Sequence, residues 1–116
     1  GDIQGVLARM ADDITLLNEA DPKRIPFSGE FKGKDGAIRY FNTLGTTVQT
    51  TNFVTQNYRE QDGHILNDVQ QDGFVIATGK PFSIHLLFTW TFNDQGLAID
   101  WKGSGDYSSL YTAFEN

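Results

Sequence analysis

Hydrophobic residues near the start of the chain recur at the spacing of an α-helix. Four of them fall at i, i+3, i+4 and i+7: Ile3, Val6, Leu7 and Met10. This apolar stripe predicts a short helix over about residues 2–11. Asp2 is placed to cap its first turn, and Asp12 and Asp13 follow its predicted end.

A second helical pattern follows after a short apolar run and a polar loop. Residues 14–18, ITLLN, predict a short buried strand, and residues 29–33 form a turn-rich passage with a glycine at each end. In residues 34–48 apolar positions again recur every three or four residues, which predicts the second helix. Gly36 and Gly45 weaken it by about 1 kcal/mol each relative to alanine.

From Thr51 onward the apolar period changes toward two, and β-branched and aromatic residues dominate. Glycine-rich turn sequences divide this half into candidate strands, namely 52–61, 64–71 running on to 74–79, 81–92 and 96–103. Short turns of this kind join antiparallel neighbours. The last nine residues of the pattern, 106–114, predict a short helix that Asp106 caps. The whole is an α+β fold.

Successive side chains of a strand point to opposite faces of the sheet, and this alternation (parity) divides the last two long strands into an aromatic face and a polar face. With Phe92 opposite Leu97, Asp100 lies opposite Thr89, and His85 lies two pairs further along. Burying the large rings is worth about 1.5–3 kcal/mol each, so the aromatic face turns inward. His85 and Asp100 then point outward and do not form a proton-handling pair. The apolar part of the outer face is expected to be Leu87, Thr89, Thr91 and Ala98.

Composition narrows the class of protein further. The 116 residues suffice for one domain, here taken as 1–116. The formal charge is −6, and the nine basic residues are scattered, which argues against a nucleic-acid partner.

With no cysteine and two histidines, His64 and His85, a metal site is not expected, and no motif indicates a cofactor. No membrane-spanning run or signal-peptide layout is present, so we expect a cytoplasmic protein.

Four stretches in order resemble the SnoaL-like branch of the nuclear transport factor 2-like superfamily, which includes ketosteroid isomerase and polyketide cyclases. They are DIQGVLARMADDIT, IPFSGEFKGKDGAIRYF, ATGKPF and FTWTFNDQG. The resemblance implies a cone formed by a strongly bent antiparallel sheet wrapped around helices, with a pocket at one end. It also implies a homodimer through the outer sheet face and a further N-terminal helix, which this sequence lacks.

The resemblance places the catalytic pair of polyketide-cyclase relatives on two inert residues. The histidine of the penultimate strand corresponds to Phe88, and the acid of the last strand corresponds to Gly103. Neither side chain can move a proton, so the resemblance implies no catalytic residue of that type. A tryptophan common at the end of the first strand is Leu16 here.

An apolar pocket remains, and it suits a small lipophilic or aromatic molecule. The resemblance implies these lining residues: Leu16, Phe27, Phe31, Tyr40, Phe41, Tyr58, Phe88, Trp90 and Trp101. Three functions stay open. The chain is a binding protein without the proton-transfer pair, or an isomerase, cyclase or dehydratase that uses other acid–base groups such as Tyr40, Tyr58 or Asp106. It could also be a protein-binding module that works through the outer sheet face.

Overall fold

The computed structural model describes residues 3–115. The elements follow in the order α1 (Ile3–Ala8), β1 (Met10–Asn18), β2 (Gly29–Lys32), α2 (Gly33–Thr47), β3 (Val48–Gln61), β4 (His64–Val75), β5 (Pro81–Phe92), β6 (Ala98–Asp106) and α3 (Ser108–Phe114). The six strands form one sheet in the order β2-β1-β6-β5-β4-β3. The α+β class is confirmed.

Strands β3 to β6 form an antiparallel meander, as the turn sequences predict. Asp62 and Gly63, which join β3 to β4, have φ values of 53° and 82°. A two-residue hairpin turn with positive φ matches the twist of its flanking strands, and glycine adopts it without strain. The sheet is nevertheless mixed, because β1 runs parallel to β6. The antiparallel sheet that the resemblance implies therefore contains one parallel pair, β1 with β6.

Helix α2 packs across one face of the sheet, and this covered face is the inner face. It leaves β2 at one edge of the sheet and leads into β3 at the other. Its 15 residues span about 22 Å, which is comparable to the ~24 Å width of six strands. The helix buries Ala37 and Tyr40, and α3 buries Leu110 and Ala113. The main hydrophobic core therefore lies between these helices and the inner face of the sheet.

The first helix is shorter than the apolar stripe predicts. It ends at Ala8, and Met10 already belongs to β1, where it pairs with Ala98 of β6. Asp12 and Asp13 are exposed strand residues and not a helix end. Pairing with β6 outweighs the helical spacing, since Met10 is 3% exposed in this position. The predicted cap, Asp2, lies outside the described residues.

Other element boundaries differ from the predicted ones by a few residues. The turn-rich passage at 29–33 contains a strand, β2, which pairs with β1. The second helix and β5 lie where the pattern predicts them, whereas β3 begins at Val48 because α2 continues into it without a loop. Helix α3 begins at Ser108, whose backbone N–H donates to the Asp106 carboxylate at 2.9 Å. Asp106 therefore holds the start of this helix, as expected.

A β-bulge at Ile99 changes the register between β5 and β6. Phe92 pairs with Ala98, but Thr91 pairs with Asp100, so Ile99 is extra. The predicted Phe92–Leu97 pair is wrong because the Asn93 side chain holds the Leu97 backbone N–H at 3.0 Å inside the turn.

The bulge removes Ala98 from the outer face and leaves the aromatic face as predicted. Ala98 becomes a buried residue, 3% exposed, and does not lie on the outer face as predicted. Asp100 moves from Thr89 to Thr91, which is a shift of two residues. An even shift preserves the side of the sheet, so the residues that follow keep the predicted parity.

Candidate functional site

A cavity of about 280 Å³ lies between the inner face of the sheet and helices α1 and α2. Aromatic and aliphatic side chains dominate its wall, which consists of Val6, Met10, Leu16, Tyr40, Phe41, Leu44, Phe53, Thr55, Tyr58, Asn67, Gln71, Phe88, Trp90 and Trp101. These residues come from two helices and all strands except β2. The site is therefore assembled from distant parts of the sequence.

Phe88 stands at the centre of the aromatic wall. Its ring meets Trp101 edge-on at a centroid distance of 4.9 Å and Trp90 at 6.3 Å. Phe53, on the edge strand, is tilted against it at 6.2 Å. Such edge-to-face contacts contribute about 0.5–1.5 kcal/mol each beyond the buried area, so this wall is held in shape by its own rings.

Tyr40 brings a phenol into the wall from helix α2. Its ring contacts Phe41 at 5.3 Å, Phe31 at 5.5 Å and Trp101 at 5.6 Å. Burial raises the pKa of the Tyr40 hydroxyl well above its usual range, because a phenolate would lose its hydration. Tyr40 is thus a neutral hydroxyl at physiological pH.

Asn67 is a buried polar residue that orients Trp90. It is 1% exposed, and its Oδ1 accepts the Trp90 indole N–H at 3.0 Å. Thr55 accepts the Tyr58 hydroxyl at 2.9 Å, and Gln71 donates to Thr50 at 3.1 Å. Thr55, Asn67 and Gln71 of the cavity wall therefore each have a hydrogen-bond partner on a neighbouring side chain.

A second bulge turns Tyr58 toward the cavity. The register of β3 against β4 shifts between Gln56 and Arg59, and Asn57 has a φ of 58°. The Asn57 amide donates to the Asp68 carboxylate at 2.8 Å, which holds the bulge. Simple alternation from Phe53 would place Tyr58 on the outer face. It instead lies at the cavity rim, 62% exposed.

A satisfied polar network around Tyr107 lies outside the cavity lining. Tyr107 places its hydroxyl 2.5 Å from the Asn18 Oδ1 and 3.0 Å from the Gly103 carbonyl oxygen. The Asn18 amide also donates to the Phe27 carbonyl at 3.3 Å and to Ser28 Oγ at 3.4 Å. Burial raises the pKa of the Tyr107 hydroxyl, with smaller contributions from Tyr40, Glu19 and Tyr111. Its partners are all protein groups, so its role is structural.

Phe88 and Gly103, the two positions that the resemblance identifies with the catalytic pair, are direct partners across β5 and β6. Gly103 is buried, and a Cβ atom there would lie 3.0 Å from the Trp101 ring and 3.3 Å from Asn18 Oδ1. The Trp101 ring thus occupies the space that a side chain at Gly103 would need. An acid at this position would require Trp101 to move.

A more open depression, the mouth cleft, adjoins the cavity. It has a volume of about 320 Å³ and is lined by Val6, Arg9, Met10, Tyr58, Ile65, Trp90, Phe92 and Ala98. Four of these residues also line the cavity: Val6, Met10, Tyr58 and Trp90. Two of the shared residues are exposed, since Val6 is 41% and Tyr58 62% exposed.

Seven of the nine predicted pocket residues line the cavity, namely Leu16, Tyr40, Phe41, Tyr58, Phe88, Trp90 and Trp101. The other two, Phe27 and Phe31, line neither the cavity nor the mouth cleft; both are core residues that pack against Tyr40. Sequence reasoning missed the other seven lining residues, among them the polar Asn67 and Gln71. The alternation of β4 could have found both, because Asn67 pairs with Phe88 and Gln71 pairs with Ile84 on the inner face.

Neither histidine lines the cavity. His85 is exposed and bonds Gln70 at 3.0 Å, and His64 bonds Thr91 at 2.7 Å. Asp100 is exposed and pairs with Thr91, whereas His85 pairs with Asp106 at the far end of β6. His85 and Asp100 therefore lie apart on the outer face, as the parity predicts. Tyr40 and Tyr58 are the titratable residues of the cavity wall.

Two kinds of feature are absent from residues 3–115. No group of three or more histidine, cysteine, aspartate or glutamate side chains in this range could hold a metal ion. None of the helices in the same range has the length and apolar character needed to cross a membrane.

The sequence matches the family model of the SnoaL-like domain over residues 1–101. The chain belongs to the SnoaL-like family. The resemblance seen in the sequence is therefore confirmed. No curated protein matches this SnoaL-like chain in sequence.

Solved structures with the same fold differ widely from this SnoaL-like chain in sequence. An NTF2-like protein of unknown function from Burkholderia pseudomallei superposes with a TM-score of 0.87 at 17% identity, over 99% of this chain and 86% of that one. TerC, co-crystallised with polyporic acid, gives 0.83 at 16% identity, over 98% and 86%. A Catenulispora acidiphila protein with a ketosteroid isomerase-like fold, in complex with trimethylamine, gives 0.79 at 10% identity, over 97% and 81%.

Proposed function

We propose that this SnoaL-like chain binds a small lipophilic or aromatic molecule in its cavity and does so without the proton-transfer pair of the cyclase members. The observation that carries the proposal is the makeup of the cavity wall. Its surface is mostly aromatic and aliphatic, and its amide and hydroxyl residues Thr55, Asn67 and Gln71 are engaged with neighbouring side chains. A concave apolar site of this size suits a ligand of one to three rings.

Two structural relatives support a small-molecule role. TerC was crystallised with polyporic acid, and the Catenulispora acidiphila protein with trimethylamine. At 16% and 10% identity the likeness extends to the fold, so the ligand of this chain is inferred from its own residues. Phe88 and Gly103, at the positions of the catalytic pair, offer no proton donor or acceptor in their side chains.

The proposal is tested by titration with N-phenyl-1-naphthylamine, a lipophilic probe whose fluorescence rises on leaving water. We expect saturable binding to the wild type and roughly tenfold weaker binding to Tyr58→Ala, equivalent to about 1.4 kcal/mol. Tyr58 is 62% exposed, so its truncation removes cavity wall with little loss of stability.

The matched control is Val54→Ala, on the same strand and 42% exposed, but outside the cavity wall. It should leave probe affinity unchanged. Binding that does not saturate, or an equal loss in both variants, would contradict a ligand site in the cavity.

The second candidate function is an isomerase, cyclase or dehydratase that acts by general acid–base chemistry on a polyketide- or steroid-like substrate. The observation that favours it is Tyr40, a neutral buried phenol in the cavity wall that could donate a proton to a developing enolate. Its assay is the conversion of a β,γ-unsaturated ketosteroid to the conjugated enone. Turnover that falls at least ~100-fold in Tyr40→Phe, about 2.7 kcal/mol, would favour the enzyme over the binding protein.

The outer sheet face is proposed as a homodimer contact. Leu87, Thr89 and Thr91 are half-buried on this face, although Ala98 no longer contributes to it. A two-fold contact places the same patch on both subunits. Light scattering should then give twice the chain mass of 13.0 kDa, and Leu87→Glu should reduce it to the monomer mass. A monomeric wild type at high concentration would contradict the dimer.

The cytoplasmic location stays a prediction.

A further inference from the structure

Arg9 differs from the other three arginines of the chain because its side chain has no partner in the described part of the protein. Arg24 and Arg59 form ion pairs with carboxylates at 3.0 and 3.4 Å, and Arg39 lies over an aromatic ring at 5.4 Å. Within residues 3–115 the Arg9 guanidinium has neither an ion pair nor a side-chain hydrogen bond. Its charge is therefore available to a bound molecule.

The backbone of Arg9 is held at the point where α1 gives way to β1. Its N–H donates to the Val6 carbonyl at 3.1 Å, and its own carbonyl accepts the Ala98 N–H at 2.9 Å. All three residues line the mouth cleft. The Arg9 side chain is exposed, so an anchored backbone carries a long side chain that is free to turn toward an anion in the cleft.

Arg9 also differs in charge from every other residue that lines the two adjoining pockets. Among residues 3–115, no aspartate or glutamate lines the mouth cleft or the cavity, so no carboxylate there would repel an anion. The cavity wall contains no lysine, arginine or histidine, and an anion buried against it would lose its hydration without gaining a partner. An anionic group therefore fits in the mouth cleft, beside Arg9, and not in the cavity.

The apolar surface is continuous from the mouth cleft into the cavity. In the cleft the Trp90 and Phe92 rings are stacked, with centroids 6.3 Å apart and planes inclined by 16°. Trp90 also lines the cavity, where its ring contacts Phe88. A single molecule that reaches from Arg9 to Phe88 would thus lie against aromatic rings along its length.

We propose that the ligand is an amphipathic carboxylate, an aromatic or alicyclic acid whose apolar body fills the cavity while its carboxylate pairs with Arg9 in the mouth cleft. This inference rests on the proposed function, since it names the class and the orientation of the molecule bound in the same cavity. A planar guanidinium matches a carboxylate with two parallel hydrogen bonds, which makes such a pair stronger than one between neutral groups. Water still reaches the exposed Arg9, so the preference for the anion should be moderate.

The experiment compares 1-naphthaleneacetate with 1-naphthaleneacetamide, which have nearly the same shape and differ in charge. Calorimetric titration of the wild type should give a Kd about threefold to tenfold tighter for the acetate, the effect of one solvent-accessible bidentate pair. Arg9→Gln should abolish this preference and leave the Kd of the acetamide within about twofold of the wild type. Arg9→Lys keeps the charge without the planar fork and should retain part of the preference.

The matched control is Arg39→Gln, which removes the same charge from an exposed residue outside both pockets. It should keep the wild-type preference, and so it separates pairing with Arg9 from the effect of net charge. A second readout is ionic strength. Raising NaCl from about 0.05 M to about 0.5 M should weaken acetate binding to the wild type and leave acetamide binding unchanged, because salt screens exposed charges.

The outcomes separate the two proposals. A preference for the acetate that Arg9→Gln abolishes and Arg39→Gln retains supports the inference. Equal affinity for both probes, tighter binding of the acetamide, or a preference that the two variants reduce equally or not at all overturns the inference but leaves an apolar binding site in place. A loss in Arg9→Gln that is equal for acetate and acetamide also overturns it. If neither probe binds up to its solubility limit, the proposed function itself is contradicted, and the inference with it.

Discussion

Two buried tyrosines, one outside the cavity lining and one in the cavity wall, differ in their hydrogen bonds. Tyr107, outside the lining, places its hydroxyl within hydrogen-bond distance of Asn18 and the Gly103 carbonyl. Tyr40 in the wall packs four aromatic rings around its own, yet its hydroxyl has no partner within residues 3–115. Burial raises the pKa of both. Burial alone therefore does not distinguish a tyrosine whose hydroxyl is bonded within the protein from one whose hydroxyl is not; the hydrogen bonds do.

The largest effect is expected from truncating the wall. Trp101→Ala removes a ring that is 6% exposed and contacts Tyr40, Phe88 and Trp90, so it should lower the free energy of unfolding by about 3–5 kcal/mol. Urea unfolding measures this. A loss below about 1 kcal/mol would mean that the wall does not form part of the packed core.

The two tyrosines should separate most clearly in a pair of tyrosine-to-phenylalanine variants. Tyr107→Phe leaves the buried Asn18 Oδ1 without this donor, whereas the Gly103 carbonyl still accepts the Glu19 N–H, and the free energy of unfolding should fall by about 1–3 kcal/mol. Tyr40→Phe removes a hydroxyl with no protein partner and should change it by at most about 0.5 kcal/mol. Both are measured by urea unfolding, and equal losses would contradict the distinction between Tyr107 and Tyr40.

Alkaline pH should destabilise the protein through both tyrosines. In the unfolded chain a tyrosine ionises near pH 10, whereas burial keeps the folded phenols protonated above that pH. The folded state then binds more protons than the unfolded state, so the free energy of unfolding falls as pH rises above about 10. The slope should decrease in Tyr107→Phe and in Tyr40→Phe, measured by urea unfolding between pH 8 and about 11. If the slope is unchanged in both variants, the loss of stability at high pH comes from groups other than these two tyrosines.

The smallest effect is expected on the outer face. His85→Gln and Asp100→Asn change exposed residues that do not line the cavity, so probe affinity should stay within about twofold of the wild type. The N-phenyl-1-naphthylamine titration measures it. A hundredfold loss in either variant would contradict the assignment of the two faces.

The hydrophobic period predicts most of the fold, because inner and outer faces differ strongly in burial. The second helix, the hairpin at Asp62-Gly63 and strand β5 follow directly from it. The register does not, since the bulges at Ile99 and Asn57 depend on hydrogen bonds that the side chains of Asn93 and Asp68 accept. Such bonds join residues that no periodic pattern relates.

The hydrophobic period also predicts part of the cavity wall. Aromatic residues on β5 and β6 are assigned by parity, and Phe88, Trp90 and Trp101 all line the cavity. Phe27 and Phe31 are equally aromatic but pack behind Tyr40, which only the three-dimensional path of β2 and α2 decides. The contrast between Tyr40 and Tyr107 likewise needs coordinates, because hydrogen-bond satisfaction is a tertiary property.

The central claim is that the aromatic inner wall binds a small lipophilic molecule. A crystal structure of the protein with N-phenyl-1-naphthylamine tests this most directly. The claim predicts the probe inside the cavity, in contact with Phe88 and Trp101. A probe bound only on the outer sheet face, with none in the cavity, would contradict it.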